Sequence, residues 1–352
     1  MSRIDRDGHP SNPNHIFLTG GASFGVSLML SMLISNDKSG ILIPIPQYPL
    51  YTACLARHNG IPIPYYLDES KHWSTNPDEI DRAVAGAQSE GIEVKALVVI
   101  NPGNPTGALL EEGVMRELVK LCEKHKLVLL ADEVYQDNLH QKENHPFISF
   151  KKVVREEASN IPLVSFHSIS KGATGECGRR GGYFELANVP EEVVELVYKM
   201  ASVDLNLPLP GQVGVDCMVR PPQPGSPSYD LWKSETGVIH DALARRSTIM
   251  VERFNKLPGM SCVPAPGALY LYPRINLPEA AVQAAKDAGK EADMFYAHAL
   301  LDETGICAIP GSELGQKKGE GHFRLTILCD GVEEYVGQLE TFHRRFMKRY
   351  QS

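Results

Sequence analysis

The chain has 352 residues, of which 35 are Lys or Arg and 43 are Asp or Glu, so its formal net charge is −8. This mild acidity argues against a nucleic-acid-binding protein, which would carry a clustered basic face. With 43% hydrophobic, 22% charged and 7% aromatic residues, the composition is that of an ordinary globular protein and excludes a disordered one. The length predicts about two domains, and no apolar run approaches the ~20 residues that cross a bilayer.

Seven cysteines are scattered along the chain without a CxxC pair or a Cys/His spacing typical of metal sites. We therefore expect a reducing compartment and no bound metal. Residues 1–14 are polar and contain two prolines, which is the pattern of neither a secretory signal nor a transit peptide. These features predict a cytoplasmic protein without a membrane or nucleic-acid partner; a mitochondrial location stays open if a further N-terminal segment is missing.

In the front half, short apolar runs alternate with stretches of helical spacing. This alternation predicts an α/β fold with a mostly parallel sheet flanked by helices, and ligands of such sheets bind at the carboxyl ends of the strands. The predicted strands are His15–Thr19, Ile41–Ile45, Pro62–Tyr66, Ala96–Ile100, Leu127–Leu130, Leu163–Phe166 and Gly182–Leu186, and the predicted helices are Phe24–Ile34, Gln47–His58, Glu111–His125 and Glu191–Met200.

The composition changes at Pro221–Pro227, where the sequence PPQPGSP indicates a loop or hinge. We expect a large domain at residues 1–225 and a smaller α+β domain at residues 226–352. The elements predicted in the second are helices at Tyr229–Asn255, Ala292–Glu303 and Val332–Tyr350 and strands at Ala268–Tyr272 and Phe323–Leu328.

Lys171 lies in the motif SISKG, directly after a predicted strand. Lysine is normally well hydrated, and one chemistry needs it in a shielded position: a Schiff base with an aldehyde cofactor, because a shielded amine loses its proton more easily. Taken alone, the motif also fits a plain loop lysine.

Asp132 ends another apolar strand, in the motif ADEVYQ. A buried carboxylate needs a cation or several donors; a protonated pyridine nitrogen is one such cation, and a helix cap is the alternative. Tyr135, three residues on, can hydrogen-bond a phenolate oxygen of the same ring. The loop NPGNPTG is rigid and lets Asn104 present its amide to a ligand oxygen, although a simple turn explains it equally well.

The segment Gly20–Ser23, GGAS, joins a predicted strand to a predicted helix. Free backbone N–H groups at a helix N-terminus bind phosphate, and a small-residue capping turn is the alternative. Arg179 and Arg180 follow Lys171 by eight and nine residues, and a guanidinium there can pair with the same phosphate.

Two further residues suggest contacts with a ligand. Tyr48, after a predicted strand, can stack on a flat ring or belong to the core. Arg324 lies inside a short apolar strand and needs an anion. The α-carboxylate of an amino acid would serve, and an internal salt bridge is the alternative.

Along the chain, the order of GGAS, PQYPLY, NPGNPTG, ADEVYQ, SxSKGxxGECGxRGGY and FRLTIL resembles the pyridoxal-phosphate-dependent aminotransferases of fold type I, and among them the alanine aminotransferases. The resemblance covers essentially the whole chain. It implies pyridoxal 5′-phosphate as cofactor, bound by the large domain, and a homodimer. Relatives usually carry a long segment ahead of this stretch, so a truncated cofactor-binding paralogue with little or no activity stays an alternative.

The resemblance also implies a role for each candidate residue. Lys171 matches the catalytic lysine that holds the cofactor as an aldimine and moves a proton, and Asp132 matches the partner of the pyridine nitrogen. The other matches are Tyr135 and Asn104 at the ring oxygen, Tyr48 on the ring face, Gly21, Ala22, Ser23, Ser168 and Arg180 (with Arg179 as the fallback) at the phosphate, and Arg324 at the substrate carboxylate.

The implied reaction is a ping-pong transfer of the amino group of alanine to 2-oxoglutarate, which yields pyruvate and glutamate. A related transaminase that uses glutamate and glyoxylate, or another amino donor, stays open because spacing does not reveal the side-chain pocket.

Overall fold

The structure is a computed structural model that describes residues 8–140, 145–173, 175–204 and 207–351. Seven strands form the main sheet: β1 Ile16–Thr19, β2 Ser39–Ile45, β3 Ile61–Tyr66, β4 Glu93–Ile100, β5 Val128–Asp132, β6 Leu163–Ser168 and β7 Gly182–Ala187.

The strands lie in the order β1-β7-β6-β5-β4-β2-β3. All neighbours from β6 to β3 pair in parallel, whereas β7 is antiparallel to both β6 and β1. β1 therefore runs in the same direction as the parallel strands, and the carboxyl ends of six strands meet at one edge of the sheet.

Helices cover both faces of this sheet: α1 Ala22–Leu33, α2 Leu50–His58, α3 Pro77–Ser89, α4 Glu112–His125, α5 Phe150–Glu156, α6 Glu191–Ala201 and α7 Leu209–Val219. One apolar core joins the sheet to α1, α2 and α6, and a second joins it to α3, α4 and α5. β2 is buried along its whole length, and after Ser39 its sequence is apolar without alternation, as is typical of a strand covered on both faces.

The C-terminal part contains α8 Tyr229–Phe254, α9 Glu279–Asp287, α10 Ala292–Thr304 and α11 Val332–Tyr350, with short strands β8 Met260–Ser261, β9 Tyr270–Leu271, β10 Arg274–Ile275, β11 Ile309–Pro310 and β12 Phe323–Thr326. The strands form the sheets β10-β8 and β11-β12-β9. A third core, centred on residues such as Phe254, Tyr296 and Phe342, holds these elements together and includes Tyr135 of the large sheet's edge. The domain boundary between residues 225 and 226 stays a prediction.

The predicted α/β class is confirmed, and α11 has the predicted bounds. The predicted helix start at Gln47 is wrong, because Pro49 precedes the first turn and α2 begins at Leu50. The predicted strand Ala268–Tyr272 shortens to two residues in β9. Helices α3, α5, α7 and α9 were not predicted, although α3 has a clear start signal: Asn76 accepts a hydrogen bond from the next turn and Pro77 follows it.

Among the described helices, none combines the length and apolar character needed to cross a membrane. Within the same residues, no group of three or more His, Cys, Asp or Glu side chains is arranged to hold a metal ion.

Candidate active site

The predicted site residues gather at the edge where six strands end. β5 ends at Asp132, and the segments that follow β6, β4 and β2 carry Lys171, Asn104 and Tyr48. β1 leads through two glycines into the first turn of α1. The site is thus a direct consequence of parallel strand order, because that order brings motifs far apart in the chain to one crevice.

Asp132 is 5% exposed and lies at the floor of this crevice. The Tyr51 hydroxyl donates to Asp132 Oδ2 at 2.8 Å, and the Val134 N–H donates to Oδ1 at 3.4 Å. Burial raises the pKa of Asp132 above its ordinary value, and the Tyr51 hydrogen bond, the Val134 N–H and the charge of Lys171 offset the rise only in part. Residues 134–137 form turns, and none of residues 133–140 is helical, so the helix-cap alternative for Asp132 is wrong.

No cation lies within ion-pair distance of Asp132 among the residues that the structure describes. A carboxylate in this position is stabilised as an anion only if a positive group enters the crevice, since removing a charge from water costs several kcal/mol without a partner. The site is therefore suited to a ligand that brings its own cation.

A second group of polar side chains connects the sheet edge to the C-terminal part. Asn104 Nδ2 donates to Tyr135 Oη at 3.3 Å, and Asn104 Oδ1 accepts from Arg324 Nη1 at 3.0 Å. Tyr135 Oη donates to Tyr270 Oη at 3.2 Å, and the Arg324 guanidinium carbon lies 4.5 Å from the centre of the Tyr270 ring. Arg324 forms no ion pair with any described residue, so the internal salt-bridge alternative is wrong and its charge is available to an anion.

Lys171 is half-buried and places Nζ 5.3 Å from the centre of the Tyr135 ring. The side chain of Asn138 makes two hydrogen bonds with the turn that carries Lys171. Its Nδ2 donates to Gly172 O at 3.1 Å, and its Oδ1 accepts from Gly172 N at 2.8 Å. This two-point contact fixes the backbone beside the lysine and leaves its amine directed over the same crevice as Asp132 and Tyr135.

The N-terminus of α1 forms the other end of the crevice. Gly21 has φ 107°, and a Cβ built on it would lie 2.6 Å from Arg180 Nη2, so only glycine lets the guanidinium approach this helix end. A Cβ on Gly182 would likewise lie 2.9 Å from Ala22 N. Ala22 and Ser23 are the first residues of the helix and present free N–H groups.

The structure separates the two candidate arginines. Arg180 lies against Gly21, whereas Arg179 Nε donates to Glu176 Oε2 at 2.7 Å on the surface. Ser168, also named for the phosphate, is buried; its hydroxyl donates to Gly181 O at 3.2 Å and accepts from Ser170 N at 3.1 Å. The helix N-terminus and the Arg180 guanidinium together form an arrangement suited to an anion. The Ser168 hydroxyl lies beside them, and its proton is donated to Gly181 O.

Tyr48 is 44% exposed at the mouth of the crevice, which contradicts the core-tyrosine alternative. Three residues that contribute to the site were not identified from the sequence: Tyr51, Asn138 and Tyr270. Tyr51 and Tyr270 belong to conspicuous aromatic motifs, PQYPLY and GALYLYP, but only their contacts distinguish them from core tyrosines.

The fold of the chain matches that of solved aminotransferases. Solved structures with this fold include an aminotransferase from Escherichia coli (TM-score 0.82, 24% identity, 99% of this chain and 79% of that one). An alanine aminotransferase from Pyrococcus furiosus is equally similar (TM-score 0.82, 23% identity, 99% and 80%).

The model of the family "Aminotransferase class I and II" matches residues 2–339, and the chain belongs to this family. It is 47% identical to a probable mitochondrial alanine aminotransferase of Dictyostelium discoideum, over 98% of this chain and 66% of that protein. It is 48% identical to glutamate–glyoxylate aminotransferase 1 of Arabidopsis thaliana (98% and 73%) and 47% identical to alanine aminotransferase 2 of Panicum miliaceum (98% and 72%). The chain thus spans about two thirds to three quarters of the length of these relatives.

Proposed function

We propose that this chain is the catalytic part of a pyridoxal-phosphate-dependent alanine:2-oxoglutarate aminotransferase. The observation that carries the proposal is the meeting of Lys171, the buried Asp132 and the unpaired Arg324 in one crevice. Membership of the aminotransferase family and the names of two relatives, each 47% identical, support it.

The residues of the crevice fit this cofactor in their chemistry. The Asp132 carboxylate, which the chain leaves without a cation, would pair with the protonated pyridine nitrogen, and Tyr51 would keep the carboxylate oriented. Tyr135 and Asn104 would hydrogen-bond the phenolic oxygen, and exposed Tyr48 would cover the ring face. The N-terminus of α1, Ser168 and Arg180 would hold the phosphate, with Gly21 providing the space.

In the reaction, pyridoxal 5′-phosphate would supply an electron-withdrawing ring that accepts the charge left when the substrate loses its α-proton. Lys171 would hold the cofactor covalently and, once released, its Nζ would take the proton from Cα of the amino acid. Arg324, oriented by Asn104 and the Tyr270 ring, would bind the α-carboxylate in a bidentate geometry and thereby direct Cα towards the lysine.

A glutamate:glyoxylate aminotransferase is the second candidate, because a relative of that name is 48% identical over 98% of this chain. The two activities are distinguished by kcat/KM for alanine with 2-oxoglutarate against glutamate with glyoxylate. A preference of tenfold or more for the second pair would reassign the substrate and leave the reaction class unchanged.

The covalent role of Lys171 is tested on the purified protein. We expect a yellow protein whose spectrum changes when alanine is added, and borohydride reduction should attach the cofactor to Lys171. Lys171→Ala should abolish this attachment and lower transamination at least ~10²–10⁴-fold, since it removes the proton carrier. The control Lys199→Ala, on the exposed face of α6, should behave as the wild type. A Lys171→Ala protein that transaminates at the full rate would refute the proposal, and a wild type that binds cofactor without turnover would indicate an inactive paralogue.

We further propose that the protein works as a homodimer, in the cytosol or in the mitochondrion. Several relatives bear names that include "mitochondrial". Gel filtration at several concentrations tests the dimer, and imaging of the full-length protein with a fluorescent tag at its C-terminus tests the compartment.

A further inference from the structure

Tyr270 occupies a central position in the crevice and has no role in the function proposed above beyond orienting Arg324. It lies on β9, where it pairs with Thr326 of β12, two residues beyond Arg324. Its side chain makes two contacts of different kinds. The hydroxyl meets Tyr135 Oη at 3.2 Å, and the ring face lies 4.5 Å from the Arg324 guanidinium carbon.

These contacts close a ring of four side chains. Asn104 already links Tyr135 to Arg324 through its amide, with 3.3 Å on one side and 3.0 Å on the other. Tyr270 links the same two residues a second time, through a hydrogen bond and a cation–π contact. The phenol that would face the cofactor and the arginine that would face the substrate are therefore connected by two separate paths.

The direction of the tyrosine–tyrosine hydrogen bond has a chemical consequence. As described, Tyr135 donates its proton to Tyr270. When an acceptor enters the crevice beside Tyr135, that proton is needed there, and the Tyr270 hydroxyl can rotate and donate to the Tyr135 oxygen instead. A chain of two hydroxyls polarised in one direction makes the terminal hydroxyl a stronger donor than it is alone.

We propose that Tyr270 is a positioning residue that couples the substrate-carboxylate arginine to the phenol at the cofactor. Its hydroxyl strengthens the hydrogen bond that Tyr135 gives to the cofactor's phenolic oxygen, and its ring holds the Arg324 guanidinium in place. This inference rests on the proposed function, since it needs an acceptor at Tyr135 and an anion at Arg324.

Two substitutions separate the two contacts. Tyr270→Phe keeps the ring and removes only the hydroxyl, so KM for alanine should change less than twofold. The pH midpoint of the bound cofactor's absorbance should rise by about half to one unit, because the phenolate form loses hydrogen-bond support. Tyr270→Leu also removes the ring and should raise KM for alanine a further three- to tenfold through Arg324.

Tyr272→Phe is the matched control. Tyr272 lies two residues further along, past the end of β9, and its hydroxyl is buried without a hydrogen-bond partner among the described residues. Its removal should leave both the absorbance midpoint and KM unchanged. Thermal unfolding of the cofactor-free variants monitors the fold, since a purely structural defect would lower Tm without moving the midpoint selectively.

The outcomes distinguish failure of the Tyr270 coupling from failure of the proposed function. A wild type that takes up no cofactor would refute both. A cofactor-bound wild type with a Tyr270→Phe midpoint within 0.2 unit of its own would refute only the coupling, as would an equal shift in Tyr272→Phe. A shift confined to Tyr270→Phe, with the KM effect confined to Tyr270→Leu, supports it.

Discussion

Asp132, which is buried, and Glu69, whose side chain is 19% exposed, are carboxylates in two regions of the molecule, and their partners differ in kind. Glu69, on the segment after β3, faces two basic side chains: Arg274 donates from Nε to Glu69 Oε2 at 2.8 Å and places Nη2 2.7 Å from the same oxygen, and His322 Nε2 lies at 3.2 Å. Asp132 faces a phenol and a backbone N–H.

The difference appears in the direction of each pKa shift. Burial alone would raise the pKa of both groups. For Glu69, the hydrogen bonds and charges of His322 and Arg274 overcome burial and hold the pKa below its ordinary value. For Asp132 burial prevails and the pKa is raised. A carboxylate whose cations come from the chain ties elements together, whereas one left without a cation at a strand end is a candidate for a ligand site.

The surroundings of Glu69 support a structural role. His322 is fully buried, with its ring stacked on Tyr272 at 4.9 Å and set edge-on to Trp73 at 5.4 Å. Glu69 thus connects the segment after β3 to Arg274 of β10 and to His322, which precedes β12. It makes none of the contacts described for the candidate site.

The largest effect expected from this comparison is that of Asp132→Asn. The amide keeps an oxygen for the Tyr51 hydroxyl but cannot carry the charge that a pyridinium needs. Activity should therefore fall by about 10²–10³-fold, the usual effect of losing one preorganised electrostatic contact. The cofactor-free protein should unfold at an unchanged or slightly higher urea concentration. Loss of more than ~2 kcal/mol of stability would show that Asp132 is structural after all.

Glu69→Gln should lower stability, whereas Asp132→Asn should lower activity. Removing this charge takes away the short contact of Arg274, whose other carboxylate partner, Glu320, lies at 3.7 Å, and weakens the contact with His322. The free energy of unfolding should therefore fall by about 1–3 kcal/mol, measured by urea denaturation. Glu79→Gln is the control, because Glu79 pairs with exposed Arg82 on the surface and should cost less than ~0.5 kcal/mol. Equal effects of the two substitutions would contradict the distinction between a shielded and a surface carboxylate.

The two arginines at the α1 end of the crevice, Arg180 and Arg179, allow the same kind of comparison between a site residue and a surface residue. Arg180→Ala should weaken binding of pyridoxal 5′-phosphate about tenfold, since it removes a charge-assisted contact beside Gly21. Arg179→Ala removes only the surface pair with Glu176 and should change binding less than twofold. Fluorescence titration of the cofactor-free protein measures both, and a larger effect of Arg179→Ala would reverse the assignment.

The smallest effect, of about 1 kcal/mol, is the pH dependence of stability, which should have opposite signs for the two carboxylates. Because the pKa of Glu69 is lowered on folding, its contribution is complete above the ordinary carboxyl pKa of about 4 and is lost as pH falls further. Because the pKa of Asp132 is raised, its contribution is present below about pH 4 and is lost as pH rises.

Urea denaturation of cofactor-free protein between pH 3 and 8 measures these two contributions. The difference in unfolding free energy between wild type and Glu69→Gln should become smaller on acidification. As pH rises from about 4, Asp132→Asn should become more stable relative to the wild type. Parallel pH profiles for the two variants would contradict the assigned directions.

Much of the site could be predicted because each motif stands at a strand end, where local sequence is informative. The apolar run before Asp132 and the hydroxyl-rich turn at Lys171 are local signals, and both residues lie at the predicted edge. The short strands β8, β10 and β11 could not be predicted, because two-residue strands have no usable periodicity. For the same reason the predicted strand that contains β9 was too long. The contributions of Tyr51 and Tyr270 also escaped prediction, because a buried tyrosine has the same local pattern in a core and in a site.

By itself, the sequence determined the α/β class, the edge of the sheet where the candidate site lies, and the residue types gathered there, because alternation of apolar runs and strand-end motifs are local properties. Only the tertiary structure decided which partner each group has. Tyr51 meets Asp132 across 81 residues of chain, Tyr135 meets Tyr270 across 135 and Asn104 meets Arg324 across 220. Contacts over such separations depend on how the packed elements are placed in space, and no local pattern encodes them.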